Sequence, residues 1–209
     1  MMHHQKSPLK IHILVGSTRQ GRYADKPAQW ILNEFQQLED VEAELVDLRD
    51  YPLPFFDSPA SPMFANGQYA DEAVRRWSEK VKEADGFVMI SPEYNHSFTA
   101  VLKNAIDHLY PEWNYKPVGF LSYGGAGGAR SVEQMRLVAI ELQMIPIKSA
   151  IHIPADTYLS TMQLDPEAAA GVFTKSLRHG YRDVVALFTS EMIFVTQRTA
   201  ALRSAGVPL

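Results

Sequence analysis

The feature that most constrains this chain is a regular alternation of short, β-branched apolar runs with longer stretches of helical spacing. Lys10–Val15 (KIHILV), Val41–Asp47, Gly86–Ile90 (GFVMI), Val118–Tyr123 and Ile147–Ile153 are strand-sized. Between them, Trp30, Ile31 and Phe35 recur on one face of a helix expected over residues 24–37. Val74, Trp77 and Val81 do the same over 71–84. Val101, Leu102, Ala105, Ile106 and Leu109 mark a helix over 99–110, and another is expected over 129–142. Strands alternating with helices in this order predict a doubly wound parallel sheet with helices on both faces. GFVMI is apolar throughout, as a strand covered on both sides must be. Tyr51–Pro62 carries four prolines and is expected to be loop.

Beyond Pro154 the pattern is all helix. Asp165-Pro166 reads as a helix start and Gly180 as a stop. A last helix from about Arg182 carries Val184, Leu187, Phe188, Met192, Val195 and Leu202, a stripe that packs on the sheet or on a partner subunit. The expected organisation is a disordered or tag-like 1–9, a core of 10–155, and 156–209 as a helical extension of the same domain.

Composition narrows the function classes. Hydrophobic residues at 46% and charged residues at 21% of 209 are ordinary globular values, enough for one sizeable core. A net charge of -4 leaves no basic footprint for nucleic acid. With no cysteine, disulfides, thiolate metal sites and thiolate nucleophiles are excluded together, which fits a reducing compartment. Met1–His4 is polar, unlike a signal peptide, and the apolar runs fall far short of the ~20 residues that cross a bilayer. The expectation is a cytoplasmic protein with no membrane partner.

In open α/β sheets ligands bind outside the carboxyl ends of the strands, where the strand order reverses. Three loops there are unusual. The first, Gly16-Ser17-Thr18-Arg19-Gln20-Gly21-Arg22, sets two hydroxyls and two guanidiniums before a helix N-terminus, a setting that favours phosphate over a merely solvated turn. It lacks the Lys-Ser/Thr of a P-loop and the Gly-x-Gly-x-x-Gly of a dinucleotide site. A monophosphate on a larger aromatic ligand fits best, and Asp47 reads as a surface turn residue. The second loop, Ser91-Pro92-Glu93-Tyr94-Asn95-His96-Ser97, offers an aromatic face and polar edges to a flat heterocycle, and is equally compatible with a rigid connector. The third, Tyr123-Gly124-Gly125-Ala126-Gly127-Gly128, points to close backbone approach or, alternatively, to a flexible hinge. The histidines show no metal-ligand spacing; His12 and His108 read as structural, and His96 sits in the second loop.

Taken together, Gly16-Ser17-Thr18-Arg19-x-Gly21-Arg22, Ser91-Pro92-Glu93-Tyr94-Asn95-x-Ser97, Leu102-Lys103-Asn104-Ala105-Ile106-Asp107, Lys116-Pro117-Val118 and the glycines of 124–128 resemble the NADPH-dependent FMN reductase family, which includes quinone, azo-dye and chromate reductases. The resemblance spans roughly Lys10 to Pro154. It implies a flavodoxin-like five-stranded sheet in order 2-1-3-4-5, FMN at the switch point, NADPH or NADH as donor, a small-molecule electron acceptor, and a homodimer or homotetramer. By motif, Ser17, Arg19 and Arg22 would hold the FMN phosphate. Pro92, Glu93, Tyr94 and Asn95 would line the ring, with Ser122, Gly124 and Gly125 bordering it. Lys103, Asn104 and Asp107 would serve helix and dimer packing. Phe98-Thr99 replaces the proline that often opens the family's helix, leaving Thr99 as N-cap. No acid or base is named as catalytic, because the cofactor carries the chemistry.

Two rivals remain at this level. One is a non-enzymatic FMN carrier or redox sensor on the same fold. The other is a serine hydrolase, since Ser122, Asp156 and His179 follow the chain order of an α/β-hydrolase triad, although position 120 is Phe where a nucleophile elbow needs Gly.

Overall fold

The computed structural model describes residues 7–177 and 183–205. Five parallel strands, β1 (Leu9–Val15), β2 (Val41–Asp47), β3 (Gly86–Pro92), β4 (Pro117–Tyr123) and β5 (Ile145–Ile153), form one sheet in the order β2-β1-β3-β4-β5. The helices are α1 (Asp25–Gln36), α2 (Glu72–Glu83), α3 (Ala100–Asp107), α4 (Ala129–Glu141), α5 (Ala155–Thr161), α6 (Pro166–Leu177) and α7 (Val184–Ser204). Order reverses between β1 and β3, so the β1 and β3 loops meet there.

Alternate residues of the strands feed two cores. Ile11, Ile13 and Val15 of β1 join Trp30, Ile31 and Phe35 of α1, Phe173 of α6 and Phe188 and Met192 of α7. Leu14 of β1, Phe87 and Met89 of β3 and Phe120 of β4 face Trp77 of α2, Leu102 of α3 and Met135 of α4 on the other side. β3 is buried along its whole length, as its unbroken apolar run requires. The caps follow local chemistry. Asp71 accepts from the Ala73 and Val74 N–H groups, Thr99 from Leu102, and Asp165 from Ala168.

The C-terminal helices complete the first core rather than hang beside it. Gly119 in β4 has no side chain because the Phe188 ring lies there: a Cβ would sit 2.5 Å from its Cζ. The buried stripe of α7 is Val185, Phe188, Thr189, Met192, Thr196 and Thr199, whereas Leu187 and Leu202 of the stripe expected to face the sheet or a partner subunit are each 40% exposed. Sequence patterning misses this because it scores threonine as polar. Here the hydroxyls of Thr189, Thr196 and Thr199 donate to the carbonyls of Val185, Met192 and Val195, which cancels their cost of burial. Helix α5 was not foreseen as a separate element. Gly180, Arg182, the Val184 side chain and residues 1–6 lie outside the described residues.

Candidate functional site

The β1–α1 loop is anchored by backbone. The Gly16 N–H donates to the Ile90 carbonyl at 2.8 Å, and a Cβ on Gly16 would lie 2.6 Å from that oxygen, so only glycine lets β1 end against β3. The Thr99 hydroxyl that caps α3 also donates to the Gly16 carbonyl, tying the phosphate-type loop to the β3–α3 connection. Ser17 is buried, its hydroxyl 3.5 Å from the Tyr94 hydroxyl.

Within this loop the two arginines differ sharply. Arg22 is folded inward. Its Nε donates to Asp25 at 2.7 Å, Nη1 to the Ser17 carbonyl and Asp47 Oδ1 at 2.6 Å each, and Nη2 to Asp47 Oδ2 at 2.5 Å, with the Asp25 carboxylate also in ion-pair contact with Nη2. Four of the five guanidinium N–H groups are therefore committed. Burial works against the charge, but hydrogen bonds to Asp47 and Asp25 outweigh it and hold the pKa above the ordinary arginine value. Burial likewise opposes ionisation of Asp47, while Arg22 and the Arg49 N–H hold its carboxyl below the usual range. Arg22 thus spends most of its donors on the loop and on Asp25 and Asp47 while still lining the cavity, and Asp47, expected as a surface turn residue, is its partner. Arg19 is the opposite case. Its guanidinium is exposed, with Nη1 3.4 Å from the Tyr94 hydroxyl and its carbon 5.7 Å from the Tyr94 ring centre, while Arg49 bonds its carbonyl.

The β3 loop closes on itself. Tyr94 and Ser97 exchange backbone hydrogen bonds of 2.8 and 3.1 Å, with Asn95 at φ 49° and His96 at φ 73° between them. This is a two-residue turn with both central residues in the left-handed region, which asparagine and histidine adopt more readily than most side chains. Asn95 and His96 form its exposed tip. Glu93 turns elsewhere. Its carboxylate accepts from the Arg130 N–H at 3.2 Å and pairs with the Arg130 guanidinium, so it caps α4, which has no side-chain cap of its own. The Glu93 side chain thus serves α4 while the residue remains in the wall of the cavity.

In the β4 loop, Ser122 is fully buried and its hydroxyl donates to the Ser91 carbonyl at 2.6 Å. It braces β4 to β3 and borders nothing open, contrary to expectation. Gly124 (φ 149°) packs on Glu93, and Gly128 (φ 73°) passes so close to Ser122 that a Cβ would meet its Oγ at 2.1 Å. Gly125 faces open space. The triad reading loses its nucleophile with Ser122, and Asp156 is bonded to the Thr157 N–H at 2.7 Å. His179 lies outside the described residues.

These loops enclose a cavity of about 180 Å³ lined by Arg19, Gly21, Arg22 and Lys26 on the α1 side, Pro92–Tyr94 and Tyr123–Gly124 on the other, and Tyr158 and Met162 from the tail. Ser17, Asn95, Ser122 and Gly125 stand outside that lining. Burial pushes the Tyr23 hydroxyl up to about 12 despite its bond to Thr161, and burial raises Tyr123 as well, so both stay protonated. Lys26, Tyr23, Tyr123, Tyr158 and Met162 were missed in the sequence. Lys26 alone carried a signal there, as a cation in the first turn after the loop; the tail residues arrive only through tertiary packing.

The donor set suits an ester phosphate: one exposed guanidinium, one ammonium, the Tyr94 hydroxyl and a helix N-terminus converge beside tyrosine faces. It does not suit a metal, having no cluster of acceptor ligands.

A three-layer parallel sheet in the order β2-β1-β3-β4-β5 with such a cavity at its switch point defines a flavodoxin-like fold. The chain belongs to the NADPH-dependent FMN reductase family, whose model matches residues 9–157. It is 38% identical over 170 residues to an NAD(P)H-dependent FMN reductase of Schizosaccharomyces pombe, covering 80% of this chain and 83% of that one. It is 34% identical to an NAD(P)H:quinone oxidoreductase of Solanum tuberosum, over 65% and 70% of the two chains. It is also similar in fold to the flavoenzyme NAD(P)H:(acceptor) oxidoreductase of Paracoccus denitrificans, with TM-score 0.61, 21% identity, and coverage of 89% and 98%. FMN and NAD(P)H are the cofactors of this family of enzymes. Among the described residues no helix is long and apolar enough to cross a membrane.

Proposed function

We propose that this chain is an FMN-containing oxidoreductase that passes electrons from NADPH or NADH to a small-molecule acceptor of the quinone, azo, metal or free-flavin kind. The observation that carries the reading is Arg19: an exposed guanidinium held beside the Tyr94 hydroxyl at the switch-point cavity, while its neighbour Arg22 is largely engaged by Asp25, Asp47 and the Ser17 carbonyl. Arg19, Lys26 and the Ser17 hydroxyl would hold the phosphate. Pro92, Tyr94, Asn95, Gly124 and Gly125 would border the ring, with Glu93 contributing through its backbone. Arg22 and Ser122 would act as braces for the loops that make these contacts. When bound, FMN supplies the two-electron chemistry that links the nicotinamide to the acceptor. The protein then contributes binding, orientation and exclusion of water.

The reading includes a cytoplasmic location, where NAD(P)H is supplied, and a homodimer or homotetramer. Asn104 of α3 accepts from the Phe56 N–H and donates to the Pro54 carbonyl, and His108 bonds the same carbonyl. The pinned loop presents Phe55, 83% exposed, the kind of apolar surface residue a second subunit covers. The test is a titration of the purified protein with FMN, followed by NADPH without oxygen. Flavin uptake and prompt bleaching are expected. Uptake with no bleaching would leave a carrier, and no uptake would end the flavin reading.

A further inference from the structure

We infer that Tyr158, on helix α5, is a specificity residue that restricts the phosphate compartment to a flavin mononucleotide and turns away a dinucleotide. The inference rests on the FMN reading above and goes beyond it by assigning a selective role to the tail.

A mononucleotide ends at its phosphate, whereas a dinucleotide continues from a phosphate oxygen through a second phosphate to a nucleoside. The continuation needs a way out past the phosphate loop. The seam between the start of α1 and the end of β4 is the natural path, since the cavity runs between Gly21–Lys26 and Tyr123–Gly124. Tyr158 fills that seam. Its ring centre lies 4.6 Å from that of Tyr23, edge to face, and 5.7 Å from that of Tyr123, stacked at 21°. Tyr23 and Tyr123 themselves meet at 4.8 Å, so three tyrosines close one corner.

The roof is fastened as well as packed. Thr161, fully buried on the same helix, shares a 2.6 Å hydrogen bond with the Tyr23 hydroxyl. Tyr23 directly follows Arg22, which braces the loop that carries Arg19, so the roof is held down by the same loop. Displacing Tyr158 would break this contact set and expose buried ring surface, a penalty that falls on the longer ligand alone. Rejection of a competitor by obstruction is one of the two ways a site gains specificity.

The experiment is equilibrium binding of FMN and of FAD to the apoprotein, followed by flavin fluorescence, for the wild type, Tyr158→Ala, Tyr158→Phe, Tyr23→Phe and Leu159→Ala. The wild type is expected to favour FMN by on the order of 100-fold, and Tyr158→Ala to narrow that ratio about tenfold by tightening FAD. Tyr158→Phe keeps the ring and should keep the ratio. Tyr23→Phe, which loses only the bond to Thr161, should narrow it less than Tyr158→Ala and remains informative if that variant fails to fold. Leu159, 64% exposed on the same helix, controls for general loosening of α5. An unchanged ratio in both Tyr158→Ala and Tyr23→Phe overturns the inference, as does equal narrowing by Leu159→Ala. A wild type that binds FMN and FAD equally overturns it while sparing the flavin reading. Uptake of neither flavin overturns both.

Discussion

Arg22 and Asp47 meet through two parallel hydrogen bonds of 2.6 and 2.5 Å, joining the β1–α1 loop to the end of β2. The same guanidinium also grips the Ser17 carbonyl, so the pair shapes the segment that carries Arg19. Two arginines three residues apart therefore have separable duties.

The separation is measurable. Arg22→Ala strands Asp47 and Asp25 and should destabilise the protein by roughly 1–3 kcal/mol in urea unfolding, less than a fully buried pair because Asp47 is part-exposed. Arg19→Ala should leave stability within about 0.5 kcal/mol of wild type. In flavin titrations it should weaken FMN by about tenfold or more, as expected for a charge-assisted phosphate contact, and leave riboflavin unchanged. Equal losses for the two flavins would remove Arg19 from the phosphate.

Acid should act on His12 first. This imidazole, buried against Phe87, is lowered from 6.5 to about 4 by burial and by the Lys80 ammonium, against a smaller pull from Glu44. The unfolded chain binds this proton near 6.5 and the folded chain only near 4, so the stabilisation is complete above pH 6.5 and is lost as pH falls between those values. Allowing for screening beside the exposed Glu44, the loss is about 2 kcal/mol. Urea midpoints against pH should show it in the wild type and not in His12→Gln.

The Asp47 carboxyl acts lower on the scale. Its pKa is depressed from 3.8, so its share of stability is present above that value and disappears as pH falls through the depressed one. Asp47→Asn should flatten the acid limb of the stability curve below about pH 4 and lower stability at pH 7. An unaltered acid limb would show that the pair contributes nothing.

Gly119→Ala tests whether α7 belongs to the core. The new methyl would press on the Phe188 ring and the Met192 sulfur, 2.5 and 3.1 Å away. A cost of about 1–3 kcal/mol is expected, since the packed ring has little room to move. Gly125→Ala, which meets nothing within 4 Å, should be close to neutral for stability.

Glu93→Gln should remove the ion pair with Arg130 but keep an acceptor for its N–H, whereas Glu93→Ala removes both. The expected order of stability is wild type, Gln, Ala, with about 1–2 kcal/mol separating the extremes. Reversal of the two variants would contradict the capping role.

Strand and helix identity was legible because it depends on patterns a few residues long. KIHILV and GFVMI can bury themselves only as strands covered by helices, and the spacing of Val74, Trp77 and Val81 needs a helix whatever lies beside it. The site was legible in outline for a related reason: Gly16, Arg19 and Pro92–Asn95 lie in loops that the strand order necessarily brings to one edge.

What each side chain does there was decided only by tertiary structure. Arg19 and Arg22 carry identical chemistry, and Asp47, 25 residues beyond Arg22 in the chain, determines which of them stays available. The Glu93 carboxylate is drawn to Arg130 because the α4 N-terminus lies within reach and lacks a cap. Tyr158 closes the cavity because α5 docks on Tyr23, and the α7 threonines sit inside because their own helix satisfies their hydroxyls. Local sequence sets backbone preference and periodicity, both short-range. Which donors remain unspent, and which surfaces are covered, depends on partners that only the folded chain brings together.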